Sequence, residues 1–183
     1  MSSSFNVAAI IGSVRRGSYT RRLVHALERL APPSMRIGIV EIGGLQIYSE
    51  DLDRVPPMEW TAFRERIGRA DAVLFATPEY NRSVPGVLKN AIDVGSRPYG
   101  QSVWAGKPAA VISVSQGTVG GFGANHHLRQ SLVFLDMPTL RQPEAYIGGV
   151  STLVDDRGHI ADETRRRFLS DFLTAFESMI RAR

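Results

Sequence analysis

The chain has 183 residues, of which 43% are hydrophobic and 22% charged, with 22 basic against 18 acidic side chains and a formal charge of +4. That length and balance suit a single folded domain over 1–183 with a substantial core. The absence of cysteine removes disulfides, thiol redox chemistry, thiolate zinc and iron–sulfur clusters.

The first apolar run (Phe5, then Val7 to Ile11) stops abruptly at Gly12 and reads as a strand. A loop of hydroxyls and arginines follows: Ser13, Arg15, Arg16, Ser18, Tyr19 and Thr20. An amphipathic helix begins near Thr20, with its stripe at Leu23, Val24, Leu27, Leu30 and Ala31, and Pro32-Pro33 stops it. Strand, loop, helix in this order aims the free N–H groups of a helix start across the strand's carboxyl end, a setting that holds phosphate. Gly12 and Gly17 have the spacing of a Walker A loop, but Ser18-Tyr19 stands where Lys-Ser/Thr is required, and no G-x-G-x-x-G occurs here. A single terminal phosphate therefore fits better than a triphosphate or a dinucleotide. An ordinary polar loop with two solvated arginines accounts for the same residues, so this loop alone does not decide.

Arg36–Ile42 reads as the second strand, Ala72–Ala76 as the third and Ala109–Val114 as the fourth, the last being almost continuously apolar. A fifth, weaker strand lies around Thr139–Leu140 and Ala145–Ile147. Between them fall helices marked by Trp60, Phe63 and Ile67, by Leu88, Ala91, Ile92 and Gly95 (entered through Pro85), and by Leu128, Leu132 and Leu135. Phe168, Leu169, Phe172, Leu173, Phe176, Met179 and Ile180 give the last helix a wide apolar face. Strands without alternation suit a parallel sheet covered on both faces. Five βα units then make an open doubly wound α/β sheet. In the flavodoxin-like strand order 2-1-3-4-5, the ligand crevice lies beyond the carboxyl ends of strands one and three, with strand four's loop beside it.

The loops after strands three and four can be read against that geometry. Thr77 to Gly86 holds Pro78, Glu79, Tyr80, Asn81 and Arg82, stiffened by prolines. It suits a wall for a planar ring, although a stiff surface loop would look the same. Ser115, Gln116 and Gly117, with Gly120 and Gly121, form a glycine-rich shelf that allows backbone to lie edge-on to a ligand. Each is weak alone; their joint placement at one crevice carries the reading.

Gly12-Ser13-x-Arg15-x-x-Ser18, Pro78-Glu79-Tyr80-Asn81 and Ser115-x-Gly117-x-x-Gly120-Gly121 together resemble the NADPH-dependent FMN reductase family, particularly its quinone-, chromate- and azo-reducing bacterial flavoproteins. The resemblance runs from Asn6 to about Gly149 and includes His127-Leu128-Arg129-Gln130 and Val133-Phe134-Leu135-Asp136. It implies the flavodoxin-like fold and bound FMN. Ser13, Arg15, Ser18 and position 20 would take the phosphate, beside the Tyr19 hydroxyl. Pro78, Glu79, Tyr80 and Asn81 would line the isoalloxazine and ribityl chain, and Ser115, Gln116 and Gly117 the ring's far edge. The family often has Asn at position 20; Thr20 keeps a hydroxyl and can cap the helix start.

The implied chemistry is hydride transfer from NADPH or NADH to the flavin N5 and onward to a small-molecule electron acceptor: a quinone, azo compound, chromate or free flavin. No catalytic side-chain pair is needed. His25, His126, His127 and His159 show no metal-ligand spacing, so no metal is expected. Arg82 at the ring wall, or Arg16 at the cradle mouth, would suit the 2′-phosphate of NADPH, unless each is simply solvated. A flavodoxin-type electron carrier shares the fold and FMN, but usually presents an acidic face, unlike this net-basic chain. A non-flavin ligand-binding module on the same sheet is a third class.

The arginines, 20 of the 22 basic residues, are scattered over separate segments, which argues for a solvated surface and against a nucleic-acid partner. No apolar run approaches the roughly 20 residues of a membrane span, and MSSSFNVAAI has neither a basic region nor a cleavage site, so a cytoplasmic placement is expected. The resemblance implies a homodimer or homotetramer. Trp60, Trp104 and Tyr99, in or beside loops, fit either an interface or the core. His126, Arg129 and Glu144 fit either interface contacts or ordinary surface pairs.

Overall fold

The apolar strand segments at the centre of the sheet find partners on both edges and both faces. The computed structural model describes residues 4–155 and 157–183. Five strands, β1 (Phe5–Ile11), β2 (Met35–Val40), β3 (Ala72–Pro78), β4 (Ala109–Val114) and β5 (Ala145–Ile147), form an all-parallel sheet in the order β2-β1-β3-β4-β5. The helices are α1 (Tyr19–Leu30), α2 (Met58–Gly68), α3 (Gly86–Gly95), α4 (Phe122–Phe134), a single turn α5 (Val150–Leu153) and α6 (Glu163–Arg181).

Alternate strand residues divide between two cores. Val7, Ala9, Ile11, Leu74, Ala76, Ile112 and Val114 pack with Leu23 and Leu27 of α1 and Leu169, Phe172 and Phe176 of α6. Ala8, Ile10, Val73, Phe75 and Val111 pack with Trp60 and Phe63 of α2, Leu88 and Ile92 of α3, and Leu128 and Leu132 of α4. Each fully buried Leu, Ile or Phe contributes about 1.5–3 kcal/mol, which explains why strands buried on both faces read as unbroken apolar runs.

The element ends differ from the sequence expectation where pairing overrides local pattern. β2 stops at Val40, because its partner β1 pairs only as far as Ile10, and Ile42 is buried beyond the strand. β3 runs on to Pro78, since β4 continues to pair with it through Val114 after β1 has ended opposite Ala76. The fifth strand is confined to Ala145–Ile147. Thr139 instead makes an isolated parallel bridge to Ala109, with the Leu140 N–H donated to the Ala109 carbonyl at 2.8 Å. α6 begins at Glu163, well before its first apolar residue, because the Asp162 carboxylate accepts the Arg165 N–H at 3.0 Å as an N-cap. No helix among the described residues is long and apolar enough to cross a membrane.

Both tryptophans belong to the core. Trp60 donates its indole N–H to the Gln46 carbonyl at 3.0 Å and Trp104 to the Ile92 carbonyl at 2.9 Å, while Tyr99 is 91% exposed. Trp104 also dictates Gly95: a Cβ there would lie 2.4–2.7 Å from three indole atoms. Gly95→Ala is therefore expected to destabilise the fold by about 2 kcal/mol, overpacking outweighing the roughly 1 kcal/mol gained in helix propensity. The check is a lower urea midpoint at unchanged slope.

Candidate functional site

The carboxyl ends of β1, β3 and β4 carry loops that meet. At the end of β1 the Gly12 N–H is donated to the Ala76 carbonyl at 2.8 Å, extending the ladder one residue past the strand. Gly12 suits this close approach, since a Cβ would lie 3.0 Å from Thr77 Oγ1 and 3.1 Å from a Leu88 methyl, and both would have to give way. The chain then turns, the Ser18 N–H reaching the Arg15 carbonyl at 3.1 Å, and Ser18 caps α1 by accepting the Arg21 N–H at 3.2 Å. Ser13, Ser18 and Thr20 are buried, although polar. The Arg15 guanidinium lies over the Tyr19 ring, 5.0 Å from its centroid. Arg15 and Arg16 make no ion pair among the described residues. Arg21 is committed elsewhere, to both carboxylate oxygens of Glu41 at 2.7 Å; that bond raises the Arg21 pKa and lowers the Glu41 pKa.

The loop after β3 folds into a tight hairpin. Tyr80 and Ser83 exchange both backbone hydrogen bonds at 2.9 Å, and the two residues between them are left-handed, Asn81 at φ 51° and Arg82 at φ 64°. This is a type I′ geometry, tolerated by Asn and costly for Arg. Glu79 is half-buried beneath it. One carboxylate oxygen accepts the Ala124 N–H at 3.1 Å, at the positive end of α4, and the other meets Arg82 at 3.2 Å. Gly123 lets the hairpin approach α4: a Cβ would lie 2.9 Å from Glu79 Oε2 and 3.1 Å from the Arg82 carbonyl.

The shelf after β4 is closed by Ser115, whose Oγ donates to the Gly117 carbonyl at 2.8 Å and accepts the Gly120 N–H at 3.1 Å. Gly120 (φ 67°) and Gly121 (φ 73°) are both left-handed, and at Gly120 a Cβ would strike the Tyr146 backbone at 2.5 Å. Beneath the shelf, Ser113 Oγ donates to the Gly120 carbonyl at 2.7 Å and accepts from Asn125 Nδ2 at 3.2 Å. Arg129 in turn holds the Asn125 amide oxygen at 2.9 Å and the Leu140 carbonyl at 2.9 Å. Arg129 is thus an internal strut. His126 meets the Tyr146 hydroxyl at 2.8 Å.

These loops enclose a cavity of about 220 Å³ lined by Ser13, Arg15, Ser18, Tyr19, Thr20, Pro78, Glu79, Tyr80, Ser115 and Gln116. Ten of the expected residues therefore share one pocket. Asn81 and Arg82 sit outside it at the exposed hairpin tip, and the Gly117 carbonyl is taken by Ser115 and by the Gly149 N–H. Val114 and Val150 also line the cavity. The Val150 wall was not expected from sequence; its only signal is Gly148-Gly149, where Gly149 is left-handed and the Val150 N–H reaches the Ser115 carbonyl at 3.2 Å. A larger groove of about 690 Å³ lies beside the C-terminal halves of α3 and α4, away from the strand ends.

A 2-1-3-4-5 sheet with its cavity at the β1/β3 switch point defines the class, a flavodoxin-like α/β protein. The chain belongs to the NADPH-dependent FMN reductase family, which it matches over residues 5–152. It is thereby an oxidoreductase that works with FMN and a nicotinamide hydride donor. It is 59% identical to a quinone reductase of Pseudomonas putida over 182 residues, 99% of this chain and 97% of that one. It is 44% identical to a 2-hydroxy-1,4-benzoquinone reductase of a Burkholderia species, covering 98% of each. Among solved structures, it superimposes on FerB, a flavoenzyme NAD(P)H:(acceptor) oxidoreductase of Paracoccus denitrificans, with a TM-score of 0.93 at 39% identity, covering 97% of this chain and 98% of that one.

Tyr146, behind the shelf, has its hydroxyl pushed up to about 12, first by burial and then by the hydrogen bond and charge of Glu144. A raised acid favours the neutral form in the fold, so its contribution to stability is complete below about pH 10, the free tyrosine value, and is lost as pH rises through 12. Subtracting the near-ultraviolet alkaline titration of Tyr146→Phe from that of the parent should leave a phenolate component centred near 12. A component centred at the free value would contradict the assignment.

Proposed function

We propose that the chain, as one FMN-binding domain over 1–183, is an NAD(P)H-dependent quinone reductase. The carrying observation is the convergence of a hydroxyl–guanidinium cradle, an aromatic wall and a glycine shelf on one cavity. The donor set fits FMN end for end. Ser13, Ser18, Tyr19 and Thr20 offer hydroxyls and Arg15 a guanidinium to the phosphate, at the start of α1, where the helix dipole adds positive potential. Pro78, Glu79, Tyr80 and Asn81 border the ring through backbone and the flat face of Tyr80. Ser115, Gln116 and Gly117 meet its far edge. A cavity of about 220 Å³ is smaller than the ~300–1,000 Å³ usual for enclosed ligands, which supports a gripped tail with the ring left open at the mouth.

Bound FMN supplies the redox chemistry, taking hydride from NADPH or NADH at N5 and passing electrons to an acceptor. The chain's own residues bind and orient. Arg15 would neutralise the phosphate, Tyr80 would limit what can stack, and Ser115 and Gln116 would border the ring edge where negative charge develops. Relatives named as quinone and hydroxybenzoquinone reductases support quinones as the acceptor class. Azo compounds, chromate and free flavin would be reduced at the same open face, differing mainly in access. Arg82, 80% exposed and tied only to Glu79, is positioned to meet the 2′-phosphate of NADPH. The chain acts as a homodimer or homotetramer, a reading supported by the exposed Tyr99, Val133 and Phe134, and its expected compartment is the cytoplasm.

The deciding measurement is gel filtration of FMN-loaded protein, followed by NADPH oxidation with 1,4-benzoquinone and no second protein. Retained flavin and steady turnover are expected; flavin stripped away entirely would end the proposal, and retained flavin without turnover would favour an electron carrier. Arg15→Ala should weaken FMN binding by about 2 kcal/mol, roughly thirtyfold, for the loss of one charge-assisted phosphate bond. Arg82→Ala should lower NADPH efficiency relative to NADH. An unchanged ratio removes Arg82 from that role.

A further inference from the structure

We infer that His127 is a positioning residue for acceptor reduction, holding the ring-wall hairpin in place through Ser83; this rests on the flavin-site reading above. Ser83 Oγ and His127 Nδ1 lie 2.7 Å apart. Ser83 closes the hairpin, exchanging both backbone bonds with Tyr80, and His127 stands on α4, one turn beyond Ala124.

The hairpin needs an external tie. Its two central residues are both left-handed, a conformation that suits Asn81 but that Arg82 disfavours, so the backbone preference of Arg82 opposes the turn. Packing offers little to hold the tip, because Tyr80 is 54% exposed and Asn81 and Arg82 are exposed. Two side-chain ties oppose release, and both end on the same face of α4. The Glu79 carboxylate takes the Ala124 N–H, and Ser83 meets the His127 ring three residues further along.

The other wall of the cavity is anchored to the same helix. α4 starts at the end of the glycine shelf, and Asn125 fixes the shelf from below through Ser113 Oγ, itself bonded to the Gly120 carbonyl. The distance between wall and shelf is therefore set by α4, and His127 is the last link from that helix to Tyr80. The link survives a change of imidazole protonation, since Nδ1 can accept the Ser83 O–H or donate to Ser83 Oγ. His127 is exposed and Ser83 half-buried, so removing either leaves both cores intact. What changes is how well the wall frames an incoming acceptor, a property read in KM and not in the phosphate grip.

The test uses full-length, FMN-loaded protein carrying Ser83→Ala, His127→Ala, both together, or His127→Asn, whose amide oxygen or nitrogen can occupy the place of Nδ1. Each alanine variant should raise the KM for 1,4-benzoquinone about three- to tenfold, at a kcat within about twofold and with flavin retained, the size expected for one neutral hydrogen bond. The double variant should match the singles, and His127→Asn should restore the parent KM. Independently of turnover, the Tyr80 and Ser83 amides should exchange hydrogen about five- to tenfold faster in the alanine variants and at the parent rate in His127→Asn, for the same single hydrogen bond. Unchanged KM values, effects that multiply in the double variant, or an effect of His127→Ala without one of Ser83→Ala overturn the inference. Faster exchange at unchanged KM overturns it too, leaving a purely structural tie. A parent protein that loses its flavin or fails to reduce benzoquinone overturns the flavin-site reading and this inference together, a result distinct from all the others.

Discussion

The Gly12 N–H donated to the Ala76 carbonyl at 2.8 Å is the contact on which the cavity depends. It adds a rung to the β1–β3 ladder after β1 has ended, so the cradle loop leaves the sheet directly against the start of the β3 loop. The position is tight, because a Cβ there would press on Thr77 Oγ1 and Leu88. Cradle and wall are therefore placed relative to one another by backbone, before any ligand chemistry enters. The strand order does the rest: β1 sends its connection to the α1 face and β3 to the α3 face, and the divergence of the two loops opens the crevice.

The third loop is held by a different means. Ser113, Asn125 and Arg129 form a chain of hydrogen bonds through the interior, from the Gly120 carbonyl to the Leu140 carbonyl, with Ser113 and Asn125 fully buried. Buried polar groups are tolerable when hydrogen-bonded, and this chain of bonds specifies one arrangement more sharply than apolar packing does, although Arg129 Nη2 is buried without a hydrogen-bond partner among the described residues. Here it makes α4 a common support, bearing the shelf at its first turn and, through Glu79 and Ser83, the hairpin that forms the opposite wall. Preorganisation of this kind lowers the ordering cost of binding a flat, weakly directional ring.

Part of the arginine-rich surface is spent on ion pairs. Arg21 with Glu41, Arg166 with Glu163 and Arg181 with Glu177 each neutralise a neighbour, and exposed pairs of this type contribute only about 0–1 kcal/mol apiece, whereas the Arg64–Asp53 pair is largely enclosed. Arg15 is placed differently. Its guanidinium rests on the Tyr19 ring at the cavity edge, which orients the charge without neutralising it.

The sheet class and the helix faces are legible in the chain without its fold, as is the set of loops that line the cavity, because each is written in neighbouring residues. Ala109–Val114 is a buried strand wherever it falls, Pro32-Pro33 ends α1 locally, and Gly12 followed by Ser13, Arg15 and Ser18 marks a strand-to-helix turn. Matters that rest on partners far along the chain were settled by the fold. Trp60 and Trp104 went to the core and not to an interface, since Gln46 and Ile92 supply carbonyls for their indoles. Glu79 became a cap for α4, 45 residues away, and its ion pair with Arg82 holds that guanidinium at the hairpin tip. The Tyr80–Ser83 turn was illegible for the same reason: no glycine announces its two left-handed residues, and contacts with a distant helix, not local preference, hold them there.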